Sequence, residues 1–487
     1  MSKTSPEEPL RLPIKLDATT NGEYEPQPPS ERLRWVMRTS LERASETARR
    51  LGMDRRAFLR SSCGAATVLL TLNELGQTGC GGHYAIPDEA QTDPAAAAVL
   101  EGDEFIFDVQ THHVATNRPW WKASRPTLAD FILTTPQAQC GRAEKMDCFG
   151  RDVFLKEVFL DSDTQLAVLS ALWGTDDINA IHIDEEALTR RRVAQMEGSP
   201  RLRIHGIVLP KDESHQRTRE RMHALAERWK ISAWKLYPVW TGDSTGYRLD
   251  DPETGLFTIR EGLRLGVDIF AVHKGLPLPG AKNAFTSPID VGPAAKAAPD
   301  ATFLIYHSGY EPSLREGPYN PNAEKGVDAL IRSLEENDIG KHGNVYAELG
   351  SVWRELMKDP EQAAHLLGKL LKHLGEDRIL WGTDAIWYGS PQDQIQAFRA
   401  FQISEEFQER YGYPALTPRI KRKIFGWNGA RVYGVDIDEV RRAHANDAVA
   451  RERMEYRNDP RPSFRTYGPR TRRELFELLR DQPPGEI

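Results

Sequence analysis

The sequence predicts an α/β protein built on a (β/α)8 barrel (a TIM barrel), preceded by an N-terminal export or leader region and followed by a C-terminal helical extension. Three observations lead there. From Phe105 onward, short apolar runs alternate with amphipathic helical patterns, which is the signature of βα units on a parallel sheet. Eight such runs can be counted. The 487 residues exceed one average domain of ~150 residues, yet one large barrel can fill most of them.

In chain order the expected strands are Phe105–Gln110, Gln165–Leu172, Arg203–Leu209, Ala233–Tyr237, Val267–His273, Thr302–His307, Asn344–Leu349 and Arg378–Thr383. Strands buried on both faces read as near-continuous apolar runs, as Ile269-Phe270-Ala271-Val272 and Phe303-Leu304-Ile305-Tyr306 do. Amphipathic segments Glu186–Met196, Thr218–Lys230 and Gln362–Leu374 fall between them. Residues 111–164 read as a loop or cap inserted over the barrel mouth, and residues 417–433 as closing helices.

Upstream, residues 1–50 form a leader, of which 1–30 are rich in Pro, Glu, Thr and Asn and are expected to be disordered; a basic run follows from Arg32. Within residues 51–84, Arg55-Arg56 precede the apolar stretch Cys63–Leu72, the pattern of a twin-arginine export signal. That stretch is well short of the ~20 residues a membrane-spanning helix needs. The expectation is an exported, periplasmic protein that meets the membrane only transiently. Residues 85–102 read as a linker, 103–435 as the barrel, and 436–487 as a charged, solvated extension.

Hydrophobic residues make up 39% and charged residues 28%, the profile of a globular chain with ample core. A formal net charge of -7 argues against a nucleic-acid partner, because phosphate binding asks for a basic footprint. A small-molecule substrate is the expected partner, and homodimerisation is left open. Cys63, Cys80, Cys140 and Cys148 show no CxxC spacing, so neither a zinc–cysteine site nor a fold dependent on disulfides is expected. The GxxxxGK[ST], GxGxxG and HExxH patterns are absent, which leaves nucleotide-dependent chemistry little support.

In such a barrel the functional side chains stand where strands end. Gln110 and His112 fall after the first strand, Lys235 on the fourth, His273 and His307 at the ends of the fifth and sixth, Glu348 on the seventh and Asp384 after the eighth. From Lys235 onward the spacings are 38, 34, 41 and 36 residues, about one βα unit each. Imidazoles and carboxylates brought together favour a divalent metal. A buried core histidine is the plainer reading of either histidine alone; several in phase with the barrel shift the balance.

The stretches Phe107-Asp108-Val109-Gln110-Thr111-His112-His113, Ala271-Val272-His273-Lys274-Gly275, Ile305-Tyr306-His307-Ser308-Gly309 and Leu380-Trp381-Gly382-Thr383-Asp384 resemble, in order and spacing, the metal-dependent amidohydrolases. Within them they resemble the amidohydrolase-related branch that includes aromatic-acid decarboxylases. The resemblance spans residues 103–435. It implies that His112 and His273 are metal ligands, that His307 polarises or deprotonates the bound water or protonates substrate, and that Asp384 is both ligand and proton shuttle. One divalent ion is implied, zinc first, with manganese, cobalt or iron also suited. The family's first strand carries His-x-His or Glu-x-His, whereas Gln110 stands here, a neutral and weaker donor that assists through its oxygen or leaves the site poor in metal. His113, pointing to the opposite face, reads as structural.

Three further residues are candidates for substrate binding. Lys235 is an anion binder, a carbamylated bridging ligand or a salt-bridged lysine of the mouth. Glu348 binds substrate or holds a ligand histidine. Arg118, beside Trp120 and Trp121, clamps a carboxylate or ring, or belongs to a packed aromatic loop. The leading function is hydrolysis of a small-molecule C–N or C–O bond by a metal-activated water, with His307 and Asp384 catalytic. Non-oxidative decarboxylation of an aromatic or unsaturated acid is the alternative, and a catalytically silent barrel serving as a binding protein the third.

Overall fold

A computed structural model describes residues 11–75, 81–116, 145–174, 179–195, 201–239, 245–277 and 284–464. Eight strands form one parallel sheet in sequential order: β1 Phe107–Thr111, β2 Leu166–Leu169, β3 Leu202–Ile207, β4 Ala233–Leu236, β5 Ile269–His273, β6 Thr302–Tyr306, β7 Val345–Glu348 and β8 Ile379–Leu380. Phe107 stands opposite Leu166, Ile269 opposite Thr302 and Ala347 opposite Ile379, and the β1–β2 register shifts between Asp108 and Thr111. The edges of the sheet meet: Val109 N–H donates to the Trp381 carbonyl (3.0 Å), Asp384 N–H to the Gln110 carbonyl (2.9 Å), and Thr111 bridges to Ala385. The barrel is thereby closed, and β1 and the end of β8 become neighbours at one rim.

Helices Ile183–Gln195, His215–Glu227 and Pro360–His373 lie where the amphipathic patterns place them. The barrel interior is filled by Phe107, Val109, Leu166, Ala233, Ala271, Leu304 and Leu380, all fully buried. Pro418–Arg422, Lys423–Trp427 and Asn428–Val432 follow β8 as closing helical turns.

The flanking regions depart from expectation. Residues 11–30 are ordered rather than disordered: Leu12, Ile14, Leu16, Thr20, Asn21 and Tyr24 are buried. The physical reason is that Leu12, Ile14 and Leu16 join the hydrophobic core, and the whole run 12–16 is buried with them although no helical period is present. Lys15 anchors the strap, its ammonium 3.2 Å from Asp393 and 2.6 Å from the Ser390 carbonyl.

Helix α1 (Glu31–Arg50) is capped by Ser30, whose hydroxyl accepts from Leu33 N–H, and it turns Leu33, Val36, Ala44 and Ala48 inward. After the short α2 (Arg55–Leu59), α3 (Ser62–Asn73) is buried on every side from Cys63 to Leu72. A helix apolar all round is a core helix, and here the signal-like stretch is core.

The expected linker 85–102 is also packed. Gly82–Tyr84 pairs antiparallel with Phe401–Ile403, and Ala90, Ala97 and Leu100 are buried. The C-terminal extension is largely exposed over helices Ile437–His444 and Ala448–Tyr456 and is anchored at Asp447, which is 4% exposed and takes the Arg201 guanidinium at 2.8 Å. Cys148 is disulfide-bonded, and Cys63 is a buried free thiol.

Candidate active site

Strand-end side chains converge at the rim where β1 meets β8. Asp384 is 1% exposed. One of its oxygens lies 3.1 Å from His112 Nε2 and 3.3 Å from Gln110 Nε2; the other accepts from Ser351 Oγ (2.6 Å) and Asn21 Nδ2 (2.7 Å). Burial alone would raise the Asp384 carboxyl, but the His112 contact, the charge of the two histidines and the Ser351 hydroxyl hold it at about 2. Asp384 and His307 both have positive φ, 60° and 65°, so the backbone is strained where the chain leaves β8 and β6.

Tautomers follow from second partners. His112 Nδ1 lies 2.9 Å from the Ser170 carbonyl, and His307 Nδ1 lies 2.8 Å from the Gly350 carbonyl. Only an N–H satisfies a carbonyl, so each ring turns Nε2 toward the cluster. His273, fully buried, packs edge-on to His307 with ring centroids 4.8 Å apart. Burial holds His273 well below the usual imidazole range and His307 at about 4, so both are uncharged bases at neutral pH.

A residue from outside the barrel completes the group. Glu23 sets one carboxylate oxygen 3.5 Å from His307 Nε2 and the other 3.7 Å from His273 Nδ1. Donor atoms of Glu23, His273 and His307 all lie within 4.8 Å of one another. Burial first, then repulsion from Asp384, pushes the Glu23 carboxyl up to about 8. Asn21 Nδ2 bridges the two acids, 2.5 Å from Glu23 and 2.7 Å from Asp384. Neutral imidazole lone pairs and two acid groups crowd one buried point, and a divalent cation there would hold both acids ionised. The donor set therefore fits a metal.

The remaining sequence candidates divide. Gln110 is 2% exposed and turns its amide nitrogen, not its oxygen, toward Asp384 and His307, so it acts as a hydrogen-bond donor. Glu348 is fully buried, and its oxygens accept from Gly350 N–H (2.6 Å) and His307 N–H (3.1 Å), which positions the His307 backbone. Lys235 is fully buried above the Tyr306 ring (3.8 Å) and beside Tyr237 (4.5 Å), and its ammonium has no hydrogen-bond acceptor among the described residues. Burial lowers it to about 7 against the pull of Glu23, Asp384 and Glu348. Arg118 lies outside the described residues. His113 is turned away, 2.9 Å from Thr189.

Four residues were missed. Asn21 and Glu23 carried no periodic signal. Ser351 sits in a loop after β7. Asp108 accepts from Thr383 N–H (3.1 Å) and the Thr383 hydroxyl and so fixes the turn that presents Asp384. Its position in the first-strand motif, two before Gln110, was a readable clue.

Comparison with known proteins adds the following. The family model described as "Amidohydrolase" matches residues 156–435. No curated protein matches the sequence. Among solved structures, 5-carboxyvanillate decarboxylase from Novosphingobium aromaticivorans, complexed with manganese and 4-hydroxy-3-methoxy-5-nitrobenzoic acid, is 13% identical; the match covers 69% of this chain and 97% of that one, with a TM-score of 0.43. For 2,6-dihydroxybenzoate decarboxylase from Rhizobium the figures are 12%, 68%, 99% and 0.37, and for 4-oxalomesaconate hydratase from Rhodopseudomonas palustris 14%, 70%, 99% and 0.41. Likeness at this level speaks to neither reaction nor substrate.

Proposed function

The chain belongs to the amidohydrolase family, and from that premise we propose that it is a divalent-metal-dependent enzyme acting on a small carboxylic acid, with non-oxidative decarboxylation as its reaction. His112, His273, His307 and Asp384 would hold the ion, which when bound supplies Lewis acidity and neutralises negative charge. Manganese and zinc both suit these donors.

One observation carries the choice of substrate. Lys235 is a buried amine, its pKa lowered by burial to about 7, without an acceptor among the described residues and within the field of the Glu23, Asp384 and Glu348 acid groups. A buried charge left in this state favours an anionic ligand over a neutral amide or lactone. Lys235 holds the substrate's carboxylate, and the flanking Tyr237 and Tyr306 rings keep water from it. When carbon dioxide leaves, the electron pair stays on the ring or alkene carbon. That carbon then takes up one proton, delivered from solvent water, to complete the product.

Hydrolysis is the second reading, and it has its own support: His307 is an uncharged base and Asp384 an ionised carboxylate at neutral pH, which suits removal of a proton from water. Carbon dioxide release from a panel of hydroxybenzoates and unsaturated acids, set against acid or ammonia release from amides and lactones, separates the two. Asp384→Asn should abolish either activity while leaving the circular dichroism unchanged; retained turnover would reject the assignment.

Export is proposed as well. The Cys148 disulfide, which belongs to an oxidising compartment, supports it; the Arg55-Arg56 pair precedes α3, which is packed into the core, so export would carry the folded chain with that segment retained. Fractionation of cells expressing the full chain tests this.

A further inference from the structure

The N-terminal strap presents a carboxylate where first-strand ligation is deficient. Gln110 occupies the position at which the resemblance calls for an imidazole or carboxylate, and it offers an amide N–H. Glu23 stands across the same cluster, its two oxygens on the His273 and His307 nitrogens at 3.7 and 3.5 Å. Those separations are too long for good hydrogen bonds and leave the contact incomplete. His307 Nε2 is the lone-pair nitrogen, because Nδ1 is committed to Gly350.

The strap is held on both sides of Glu23. Upstream, Lys15 pairs with Asp393 inside the fold, with side-chain exposures of 3% and 2%. Downstream, the Tyr24 hydroxyl lies 3.0 Å from that of Tyr388, which in turn lies 2.7 Å from Ser351 Oγ, a donor to Asp384. The seating of the strap and the arrangement of the cluster thus share one connected set of contacts.

We propose that Glu23 is a cation ligand supplied in cis by the N-terminal strap, so that closure of residues 12–26 over the barrel mouth and divalent-metal binding are one coupled event. The proposal rests on the metal-dependent reading above. Reciprocity follows: whatever factor the seated strap adds to metal affinity, the metal adds to the seating of the strap. The strap is then part of the active site, and not a substrate mimic that must leave.

The test uses the full chain and Mn2+ alone as probe, with affinity from titration calorimetry and strap seating from amide hydrogen exchange over residues 12–26. In the unmodified chain, Mn2+ should slow exchange in the strap. Glu23→Gln should weaken Mn2+ about tenfold or more and remove most of that slowing, while Glu23→Asp, which keeps the charge, should recover part of both. Lys15→Ala, which loosens the strap without touching a donor atom, should weaken Mn2+ in proportion to the faster exchange. Mn2+ affinity of Glu23→Gln within about twofold of the unmodified chain, alongside a large loss in His307→Ala, would overturn the coupling and leave the metal reading standing. Absence of Mn2+ uptake by the unmodified chain would overturn both. Tighter benzoate binding in Glu23→Gln at unchanged Mn2+ affinity would make the strap a substrate mimic instead.

Discussion

Gly382→Ala adds a single methyl group at the end of β8, and its consequence can be worked out from the contacts. Gly382 is not among the positive-φ glycines, so alanine is tolerated by the backbone and the penalty is the collision alone. The new Cβ would lie 1.6 Å from Glu348 Oε1, where contacts below 3.0 Å are essentially never seen. The carboxylate must retreat by about 1.4 Å, enough to break its 2.6 Å bond from Gly350 N–H and to loosen its 3.1 Å bond from His307 N–H. Each buried N–H left without an acceptor costs ~1–3 kcal/mol, so the variant should lose ~2–6 kcal/mol. At about 1 °C per kcal/mol for a chain of 487 residues, the melting temperature should fall by roughly 2–6 °C. Because His307 shifts with its backbone, Mn2+ affinity should fall too. Calorimetry reads both. Adding Glu348→Ala removes the obstructing carboxylate, so the double variant should be less destabilised than the sum of the singles. Wild-type melting and Mn2+ affinity in Gly382→Ala would refute the placement of Glu348 behind His307.

Other outcomes follow from the same contacts. Lys235→Met, matched in bulk but uncharged, should raise KM for carboxylic acids tenfold or more and leave neutral esters unaffected; equal effects on both would count against the anion-anchor role. Chelator treatment should remove activity and lower the melting temperature, and excess Mn2+ at ~100 times its Kd should restore ~2.7 kcal/mol of stability. Imidazole and carboxylate donors must shed protons to bind, so Mn2+ affinity should fall as pH is lowered, with protons released on binding; a flat profile would contradict the donor set. Arg201→Ala takes the guanidinium from the buried Asp447, which keeps its bond from Ala450 N–H, and should cost ~1.5–3 kcal/mol, detectable as a lowered denaturation midpoint.

The barrel was legible because buried parallel strands must be apolar in nearly every position, so their number and order survive as runs of letters. Rim residues were legible for a related reason. The strand-end rule turns the spacing of His273, His307 and Asp384 into positions on one circle, and the structure brings His307 and Asp384 to the same cluster. Roles were less legible. Glu348 sits at a strand end like the others, yet its direction is decided by two backbone N–H groups that no sequence pattern announces.

The chain by itself determined which elements form and which chemically able side chains reach the rim, because hydrophobic period and strand-end placement are local properties. Only the tertiary structure decided what closes that rim. Asn21 and Asp384 stand 363 positions apart, and a Pro- and Glu-rich segment without helical period becomes buried only once there is a barrel mouth to receive it. Long-range pairing of this kind is set by three-dimensional complementarity, which short-range patterns do not encode.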